Sequence, residues 1–518
     1  MGAIATRATE PYTETRERFG RLIGFAASTE ASEMSESNFE REVEVQLREL
    51  KRQLLQEHLD SREGGQAAEA VVDAEGRERT VEREHERTLL TTFGPVRVRR
   101  FGYGSPGADS LHPLDGALNL PPELYSLELR RQLARAAARG SYEEAVAIIH
   151  ETTGVEIPKR QAEELACRAA VDFDAFYEAK RALDSLEPAA SPIVVLSLDG
   201  KGIVMRHEDL RPATRKAAEA RVPKLSTRLA KGEKRNAKRM ATVATVYGVD
   251  RHPRRPKDVF PVPGRARPAA AGRPRPTNKR VWASVEGEME DVVAEAFREA
   301  ESRDPEHERE WVVLVDGNDA QLRLVRATAK ARGAPVITIL DVIHVLEYVW
   351  KAGLTLHPEG SAALETWVLE RMLRILAGES SSVAAGMRRS ATLRGLANAA
   401  RGAIDTCARY LLEHRRYLRY DEYLKRGYPI ATGVVEGACR HLVNVRMNRS
   451  GARWTLTGAE AVLRLRALLK SGDFDEYWEF HEAREKDRNH LALYADGQMP
   501  AIHNPARRRE RTHLRRVK

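Results

Sequence analysis

Apolar and polar positions follow several different periods along the chain, and each period predicts one kind of element. Residues 38–60 repeat leucine at helical spacing with charges on the other face, which predicts an amphipathic helix. Residues 87–103 alternate around a Gly-Pro break, which predicts a β-hairpin. Residues 123–183 have helical periodicity throughout. The first third is therefore predicted to be mainly helical with one hairpin, after a polar, flexible segment over 1–36.

Two short helices within this region match a helix-turn-helix. Ser141 and Glu144 have the spacing of a capping box, and Gly154 predicts the turn before a helix that Pro158 opens. The second helix begins with exposed polar and basic positions, as in a DNA-reading helix. An ordinary helical hairpin in a bundle explains the same pattern, and the sequence leaves both interpretations open. The positions expected to contact DNA are Lys159, Arg160 and Gln161.

From residue 192 the pattern changes to short, mainly apolar runs. Runs over 193–198, 311–315 and 335–340 each end at an aspartate, and the first two are typical of central strands buried on both faces. Three strands followed by alternating helices and strands predict a mixed α/β sheet rather than a βα barrel. Further predicted elements are strands over 202–205 and 240–248, an extended proline-rich loop over 251–280, an acidic helix over 281–303, and helices over 320–331, 361–426 and 436–470.

Composition excludes several classes of protein. The chain has 518 residues, of which 42% are hydrophobic and 31% charged, so it can build cores and extensive disorder is not expected. It has no apolar run of about 18 residues and no signal-peptide core, which favours a cytoplasmic protein without a membrane span. Its three cysteines are too far apart for a disulfide framework or a four-cysteine zinc site. No nucleotide-binding glycine motif is present.

The net charge of +9 is unevenly distributed. Residues 201–280 carry a net charge of +17 and residues 505–518 a net charge of +6, so the rest of the chain carries −14. Concentrated basic segments are typical of contacts with a polyanion such as DNA, because each cation near a phosphate releases a counterion. A solvated loop and a solubilising tail are the alternative interpretation.

Two aspartates share an unusual context. Asp199 and Asp316 each end an apolar run and precede a glycine, in LSLDGK and VLVDGN. On neighbouring strands their carboxylates would repel each other unless a hard cation lay between them, and Mg²⁺ prefers such oxygen ligands. A pair of Mg²⁺ ions about 4 Å apart suits phosphoryl transfer. The alternative is a turn-capping role, which is common for Asp-Gly, and Asp319 is a possible substitute for Asp316.

Glu436 supplies a third carboxylate in an apolar setting. It lies in VVEGA, where Gly433 and Gly437 leave space for a metal ion or a DNA backbone to approach. The sequence indicates no role for nearby Cys439, and Trp454 fits either a DNA contact or a helix anchor. The basic positions expected to follow DNA after Glu436 are Arg440, Arg446, Arg449 and Arg453.

Four segments together resemble one family of enzymes. LSLDGKGI, LVDGN, ILDVIHVLEYVW and GVVEGACRHLVNVRMNRSGARWT, spread over about 192–480, are similar to DDE transposases of bacterial insertion sequences, of the Kra type related to the Mutator group. The resemblance implies an α/β fold: an RNase H-like (retroviral-integrase type) catalytic domain with a mixed sheet and an all-α insertion, after a mainly helical DNA-binding region. It implies Asp199, Asp316 and Glu436 as the metal-binding catalytic triad. It further implies Asp341 and His344 as an auxiliary motif for strand positioning or base contact.

The resemblance also implies a reaction and partners. Two Mg²⁺ ions, which Mn²⁺ can replace, would support hydrolysis at the transposon end and then attack of the freed 3′-OH on target DNA. The partners would be double-stranded DNA, as terminal inverted repeats and target, and further copies of the chain in a dimer or higher oligomer, in the bacterial cytoplasm at the nucleoid. Some relatives have N-terminal zinc ribbons, but no CxxC follows the hairpin here, so no structural zinc is expected.

Two other functions fit the same residues. One is a catalytically silent, domesticated transposase that only binds DNA, and the other is a different RNase H-like nuclease such as a junction resolvase. The domains expected are a flexible N-terminus (1–36), a helix and hairpin region (37–120), a helix-turn-helix region (121–190), a catalytic domain (191–352 and 430–480) with basic loops (206–238 and 251–280), a helical insertion (353–429) and a basic tail (481–518).

Overall fold

The computed structural model describes most of the chain, in two compact units. The first unit comprises Met1–Asp172 and Phe474–Lys518, and the second Phe173–Asp473. The basic tail after 503 and parts of both predicted basic loops lie outside the described residues. The described residues are 12–184, 191–221, 225, 227–228, 230, 236–260, 272–449 and 451–503.

Eight strands and twenty-one α-helices make up the described residues. The strands are β1 Val81–Thr91, β2 Gly94–Ser105, β3 Ala108–Leu111, β4 Ile193–Val204, β5 Lys238–Val249, β6 Thr277–Ser284, β7 Glu310–Val315 and β8 Val336–Leu340. The helices are α1 Thr13–Ala26, α2 Thr29–Glu33, α3 Glu36–Asp60, α4 Pro113–Ala117, α5 Leu127–Arg139, α6 Tyr142–Thr153, α7 Lys159–Arg168, α8 Phe173–Asp184, α9 Pro212–Glu219, α10 Pro256–Val259, α11 Met289–Arg303, α12 Asp319–Arg332, α13 Val342–Gly353, α14 Ala362–Leu376, α15 Ser380–Leu393, α16 Asn398–Glu413, α17 Tyr420–Arg426, α18 Gly433–Ala438, α19 Val445–Met447, α20 Leu456–Ser471 and α21 Phe474–Asn489.

The first unit contains an antiparallel sheet in the order β1-β2-β3, with α3 packed on β2. The predicted hairpin is present and longer than expected, and its turn places Gly94 at φ 113°, where a side chain would be strained. Val96 and Val98 point inward while Arg97 between them is exposed, as the alternation predicts. The core of this sheet consists of Leu59, Leu89, Val96, Val98 and Leu114.

The helical part of the first unit differs from expectation at its start. Helices α1 and α2 occupy part of the segment that was expected to be flexible. Helices α6 and α7 form as predicted: Ser141 and Glu144 make the reciprocal capping box, and Gly154 ends α6 at φ 73°. Helix α5 packs against both α6 and α7. This arrangement is compatible with either a helix-turn-helix or an ordinary helical hairpin.

The second unit is built on a mixed five-stranded sheet in the order β6-β5-β4-β7-β8. Strands β4, β7 and β8 are parallel neighbours, and β5 and β6 are antiparallel additions on the other side of β4. Helix α11 packs on β4 and β5, and α18 packs on β4, β5 and β6. Helices α14 to α17 form an all-helical segment between α13 and α18, as predicted.

Several predictions about this unit were wrong. Strand β4 does not end at Asp199 but continues to Val204, so the strand expected over 202–205 is its second part, because β5 pairs with it along its whole length. Residues 281–303 are not all helical, since β6 runs to Ser284 and α11 begins at Met289. The loop expected over 251–280 contains α10 and the first residues of β6, and the helix expected over 436–470 is interrupted between Met447 and Leu456. Within the part of the chain that the structure describes, no helix is long and apolar enough to cross a membrane.

Candidate active site

Asp199 and Asp316 occupy equivalent positions on two neighbouring parallel strands. Ser197 of β4 pairs with Leu314 of β7, and each aspartate lies two residues further along its strand. Asp199 still pairs with Val243 of β5, whereas Asp316 is the first residue after β7. The carboxyl ends of parallel strands are where open α/β sheets bind ligands. Both side chains are half-buried there.

The turn after β7 fixes the backbone of Asp316. Its Oδ1 accepts a hydrogen bond from the Asn318 backbone N–H at 2.9 Å, and Asn318 in turn caps the start of α12. Gly317 between them has φ 95°. The alternative ligand, Asp319, lies in the first turn of α12 with a side chain 82% exposed. Asp316 is therefore the aspartate at the strand end.

Glu436 lies on helix α18, whose C-terminal end contacts Asp199. Cys439, the residue directly after α18, is buried and donates from Sγ to Asp199 Oδ2 at 3.1 Å. Burial raises the pKa of the Cys439 thiol, and the adjacent Asp199 carboxylate raises it further, so the thiol keeps its proton. The Glu436 side chain is exposed. The thiol contact thus links the helix that carries Glu436 to the strand that carries Asp199.

Asp341 holds the beginning of the same helix. It follows β8 directly, is 4% exposed, and accepts hydrogen bonds from Thr432 Oγ1 at 2.8 Å and from the Thr432 backbone N–H at 3.2 Å. Thr432 Oγ1 also lies 3.2 Å from Glu436 Oε1. A hydroxyl has a single proton, so Thr432 donates to one of these two carboxylates at a time. In the structure the Asp341 carboxylate contacts groups of the protein itself. The family resemblance implies a role in strand positioning or base contact.

An aromatic cluster joins the helical insertion to Asp316. Tyr410 of α16 donates from its hydroxyl to the Asp316 carbonyl at 3.0 Å and stacks on Tyr348 with ring centroids 4.1 Å apart. His344 lies against both tyrosine rings. Burial, followed by Tyr348 and Asp316, raises the pKa of the Tyr410 hydroxyl, so it stays a donor. A Cβ on Gly317 would lie 2.8 Å from the Tyr410 hydroxyl, so only glycine fits.

The helix after Glu436 changes to a π-helical segment over Cys439–Asn444. Such segments often occur at functional sites. Arg466 of α20 donates from Nε to the Leu442 carbonyl at 2.7 Å and from Nη2 to the His441 carbonyl. Burial, followed by Arg446 and Arg449, lowers the pKa of Arg466 to about 10, and the group remains cationic at neutral pH.

The basic residues predicted to contact DNA divide into exposed and buried ones. Arg440, Arg449 and Arg453 are exposed. Arg446 is 3% exposed and its guanidinium lies 4.6 Å from the centre of the Trp454 ring, so it is a packing residue and not a surface contact. Trp454 is buried and donates from Nε1 to the Met447 carbonyl at 3.0 Å, so it anchors the helix.

In the first unit, the start of α7 presents its predicted residues to solvent. Lys159 is exposed, and the Arg160 side chain is 91% exposed and pairs with Glu164 at 3.3 Å. Gln161 accepts a hydrogen bond from the Tyr125 hydroxyl, which holds its amide against the protein. All three residues are exposed, and Arg160 and Gln161 also have partners within the protein.

The three catalytic candidates are not assembled as a metal cage. Across the described ranges, no group of three His, Cys, Asp or Glu side chains is placed to hold a metal ion. The three side chains are nevertheless suitable ligands for Mg²⁺, since all are carboxylates. The groups that contact them, from Cys439, Thr432 and Asn318, carry no charge.

Comparisons with known proteins add one similarity. No family model matches the sequence, and no curated protein matches it. Among solved structures, the chain is similar to one described as a Drosophila P element transposase strand transfer complex. The identity is 10%, the match covers 70% of this chain and 81% of that chain, and the TM-score is 0.23. A similarity this low identifies neither a fold nor a function.

Three residues of this site were given no role by the sequence: Thr432, Tyr410 and Cys439. Thr432 and Cys439 lie within one turn of Glu436, so proximity to the third carboxylate was a usable signal. Tyr410 lies in the helical insertion, 94 residues from Asp316, and carries no local signal.

Proposed function

We propose that the second unit is the RNase H-like catalytic domain of a DNA transposase. The observation that carries this proposal is the placement of Asp199 and Asp316 at equivalent positions on neighbouring parallel strands, with the helix of Glu436 tied to Asp199 through Cys439. The mixed five-stranded sheet and the all-helical segment before Glu436 agree with the architecture that the family resemblance implies.

Asp199, Asp316 and Glu436 would hold the Mg²⁺ ions. When bound, these ions would activate the attacking oxygen and neutralise charge on the phosphate. The chain's own residues keep the carboxylates in position for that task. Cys439 holds Asp199, Tyr410 holds the backbone of Asp316, and Thr432 contacts Glu436.

The substrate in this proposal is duplex DNA. Arg440, Arg449 and Arg453 are exposed shortly after Glu436, where they would contact the phosphate backbone. Lys159 and Arg160 at the start of α7 would contact the terminal repeats. The reaction would begin with hydrolysis of one phosphodiester bond, and the freed 3′-OH would then displace a target phosphodiester.

The test is a cleavage and joining assay with labelled duplexes that carry the DNA flanking the reading frame. In Mg²⁺ we expect Asp199→Asn, Asp316→Asn and Glu436→Gln each to abolish cleavage while DNA binding, measured by gel shift, is unchanged. The matched control is Asp319→Asn, which removes an exposed carboxylate three residues from Asp316 and should leave cleavage intact. Full activity in any of the three variants would remove that residue from the site. Binding without cleavage by the unaltered protein would instead support a silent DNA-binding protein.

A further inference from the structure

A cavity of about 220 Å³ lies in the second unit beside the helix that carries Glu436, and the proposed reaction does not use it. Its walls are α18 with the π-helical segment after it, strand β6 with the residue before it, and the end of α20. Helix α20 packs on both β6 and the π-helical segment, and α18 packs on β6. The walls are therefore held in place by packing within one unit.

The interior of the cavity is apolar. Val281 of β6, Val434 of α18 and Leu442 of the π-helical segment line it. Gly437 presents bare helix backbone to the same space, and a Cβ built on it would meet no atom within 4 Å. Gly433, one turn earlier, is equally open. Such a surface favours a flat apolar group that displaces water from it over a bare ion.

Two lysines at the rim of the cavity are accessible. Lys279 of β6 and Lys470 of α20 are exposed, and neither side chain makes an ion pair or a hydrogen bond with another described residue. Ser471 Oγ accepts from the Val281 N–H at 3.0 Å, which fixes the end of α20 beside β6 and brings the lysines to one rim. None of the described residues that line the cavity is acidic. The positive charge of the rim is therefore available to a ligand.

His441 lies on the same rim, one turn after Gly437, and is exposed. Partial burial, followed by several cations of which Lys470 has the largest effect, lowers the pKa of His441, and Lys279 is one of these cations. The ring is neutral at physiological pH and offers one N–H donor. Positive charges that converge in this way without a counterion attract an anion.

A nucleotide joins a flat base to an anionic phosphate, and so matches the apolar interior and the cationic rim. We propose that the cavity holds one nucleotide turned out of the DNA duplex, with its base against Val281 and Leu442 and its phosphate at Lys279 and Lys470. Enzymes that turn out a base hold it between apolar or aromatic side chains. The volume is below the roughly 300–1,000 Å³ typical of sites for drug-sized ligands, so a single base fills it.

This inference rests on the proposed function. Gly433 and Gly437 flank Glu436 in α18, so a strand bound at the candidate active site lies next to the cavity. A free nucleotide has the same chemistry as a nucleotide within a strand. The position of the cavity beside Glu436 favours the strand, and the experiment separates the two sources.

The first experiment locates the nucleotide. Duplexes of the DNA that flanks the reading frame carry 2-aminopurine, whose fluorescence is quenched by stacking, at one position at a time. Without divalent metal, so that no strand is cut, binding of the full chain should raise the fluorescence at one position. An excess of deoxyadenosine monophosphate should not lower that signal.

The outcomes of this scan are distinct. A bound duplex in which no position brightens would overturn the inference and leave the proposed function intact. Loss of the signal with deoxyadenosine monophosphate would overturn the assignment to a DNA strand and give the cavity to a free nucleotide. If no duplex bound, the proposed function would fall and this inference with it.

The variant Gly437→Leu fills the cavity without disturbing its walls, since the space at its Cβ is empty and leucine favours a helix more than glycine does. At the position that brightens, fluorescence anisotropy compares a duplex with a mismatched base and a duplex with an abasic site. The unaltered protein should bind the mismatched duplex about tenfold more tightly, because only that duplex supplies a base to bury. In Gly437→Leu the two duplexes should bind equally.

The matched control is Gly386→Leu on α15. Gly386 is another exposed helical glycine with empty space at its Cβ, and it lies outside the cavity, so this variant should keep the tenfold preference. The same preference in folded Gly437→Leu would contradict the inference, while its DNA binding would still support the proposed function.

The double variant Lys279→Gln with Lys470→Gln tests the phosphate contact and does not depend on how Gly437→Leu folds. Both side chains are exposed, so their replacement should not affect folding. The slope of log affinity against log salt should fall by roughly 1.5, since each phosphate contact contributes about 0.7–0.9. The 2-aminopurine signal should fall as well. An unchanged slope, or an unchanged signal, would contradict the role assigned to the two lysines.

Discussion

The residues that support the three candidate carboxylates are all uncharged donors with a single proton. Cys439 donates to Asp199, Thr432 contacts Glu436, and Tyr410 donates to the backbone of Asp316. A lysine or arginine at these places would form an ion pair and compete with a bound cation for the carboxylate. Neutral donors orient the site and leave its negative charge available.

Cys439 offers a test of this arrangement. In Cys439→Val, Asp199 Oδ2 loses its donor, and we expect DNA cleavage to fall by about tenfold with DNA binding unchanged. Cys439→Ser keeps a donor of similar size, so cleavage should stay within a few-fold of the original rate. Cleavage rates in Mg²⁺ and gel shifts measure the two effects. If valine and serine gave the same rate, the thiol contact would have no part in positioning Asp199.

Among the elements, the π-helical segment after Glu436 is held by a side chain from another helix, Arg466 of α20. A π segment departs from the regular i to i−4 pattern of the α-helix, and here Arg466 donates to the Leu442 and His441 carbonyls. Arg466 is buried, and its guanidinium contacts backbone carbonyls inside the protein. It therefore acts as a scaffold for the helix that carries Glu436 and not as a DNA contact.

Replacing Arg466 should destabilise the protein. In Arg466→Leu both carbonyls lose a charged donor, and we expect the free energy of unfolding to fall by about 2–4 kcal/mol. Arg466→Lys keeps one donor and should cost less. Urea denaturation followed by circular dichroism measures both. A leucine variant as stable as the original protein would show that the guanidinium does not support the segment.

The burial of the strands explains why the sequence predicted β7 and the first part of β4 better than β6 and the second part of β4. Runs over 193–198 and 311–315 are buried on both faces, and their composition alone identifies them. Strand β6 was missed because its first half, Thr277 to Lys279, is exposed and follows prolines. A break in β4 was expected after Asp199 because Gly200 and Gly202 resemble a turn, and the strand expected over 202–205 is part of β4. In fact, a Cβ on Gly202 would lie 2.8 Å from Lys238 of the paired strand.

At the scale of the whole molecule, the structure changes which basic residues are available to bind DNA. The sequence places four arginines after Glu436, but burial removes Arg446 from the surface and leaves Arg440, Arg449 and Arg453 exposed. Contact with phosphate releases counterions, so affinity for DNA depends on salt in proportion to the number of such contacts.

The salt dependence of DNA affinity measures the number of these phosphate contacts. Replacing Arg440, Arg449 and Arg453 together by glutamine should reduce the slope of log affinity against log salt by about 3, since each phosphate contact contributes about 0.9. Fluorescence anisotropy from low to moderate salt measures the slope. The matched control is Arg374→Gln on α14, an exposed arginine paired with Glu379, which should leave the slope unchanged. An unchanged slope in the triple variant would place the DNA elsewhere.

The contacts that complete the site could not be predicted from the sequence because they join distant segments. Asp199 and Cys439 are 240 residues apart, and Asp341 and Thr432 are 91 apart. Asp199, Asp316 and Glu436 were predicted from local context and family resemblance. Asp316 follows the end of its strand as expected, whereas Asp199 lies within β4. Their supporting partners depend on how the chain folds back on itself, which no local pattern records.

The contact between Tyr410 and the Asp316 carbonyl has a consequence for the modularity of the chain. Helices α14 to α17 have the form of an interchangeable insert, because the sheet is complete without them. Yet Tyr410 of α16 supplies the hydroxyl that binds the backbone carbonyl of Asp316, a candidate catalytic residue. A side chain at position 317 would collide with that hydroxyl. A chimera with a foreign insert would need a tyrosine at the same place, and recombination between relatives has to transfer the two positions together.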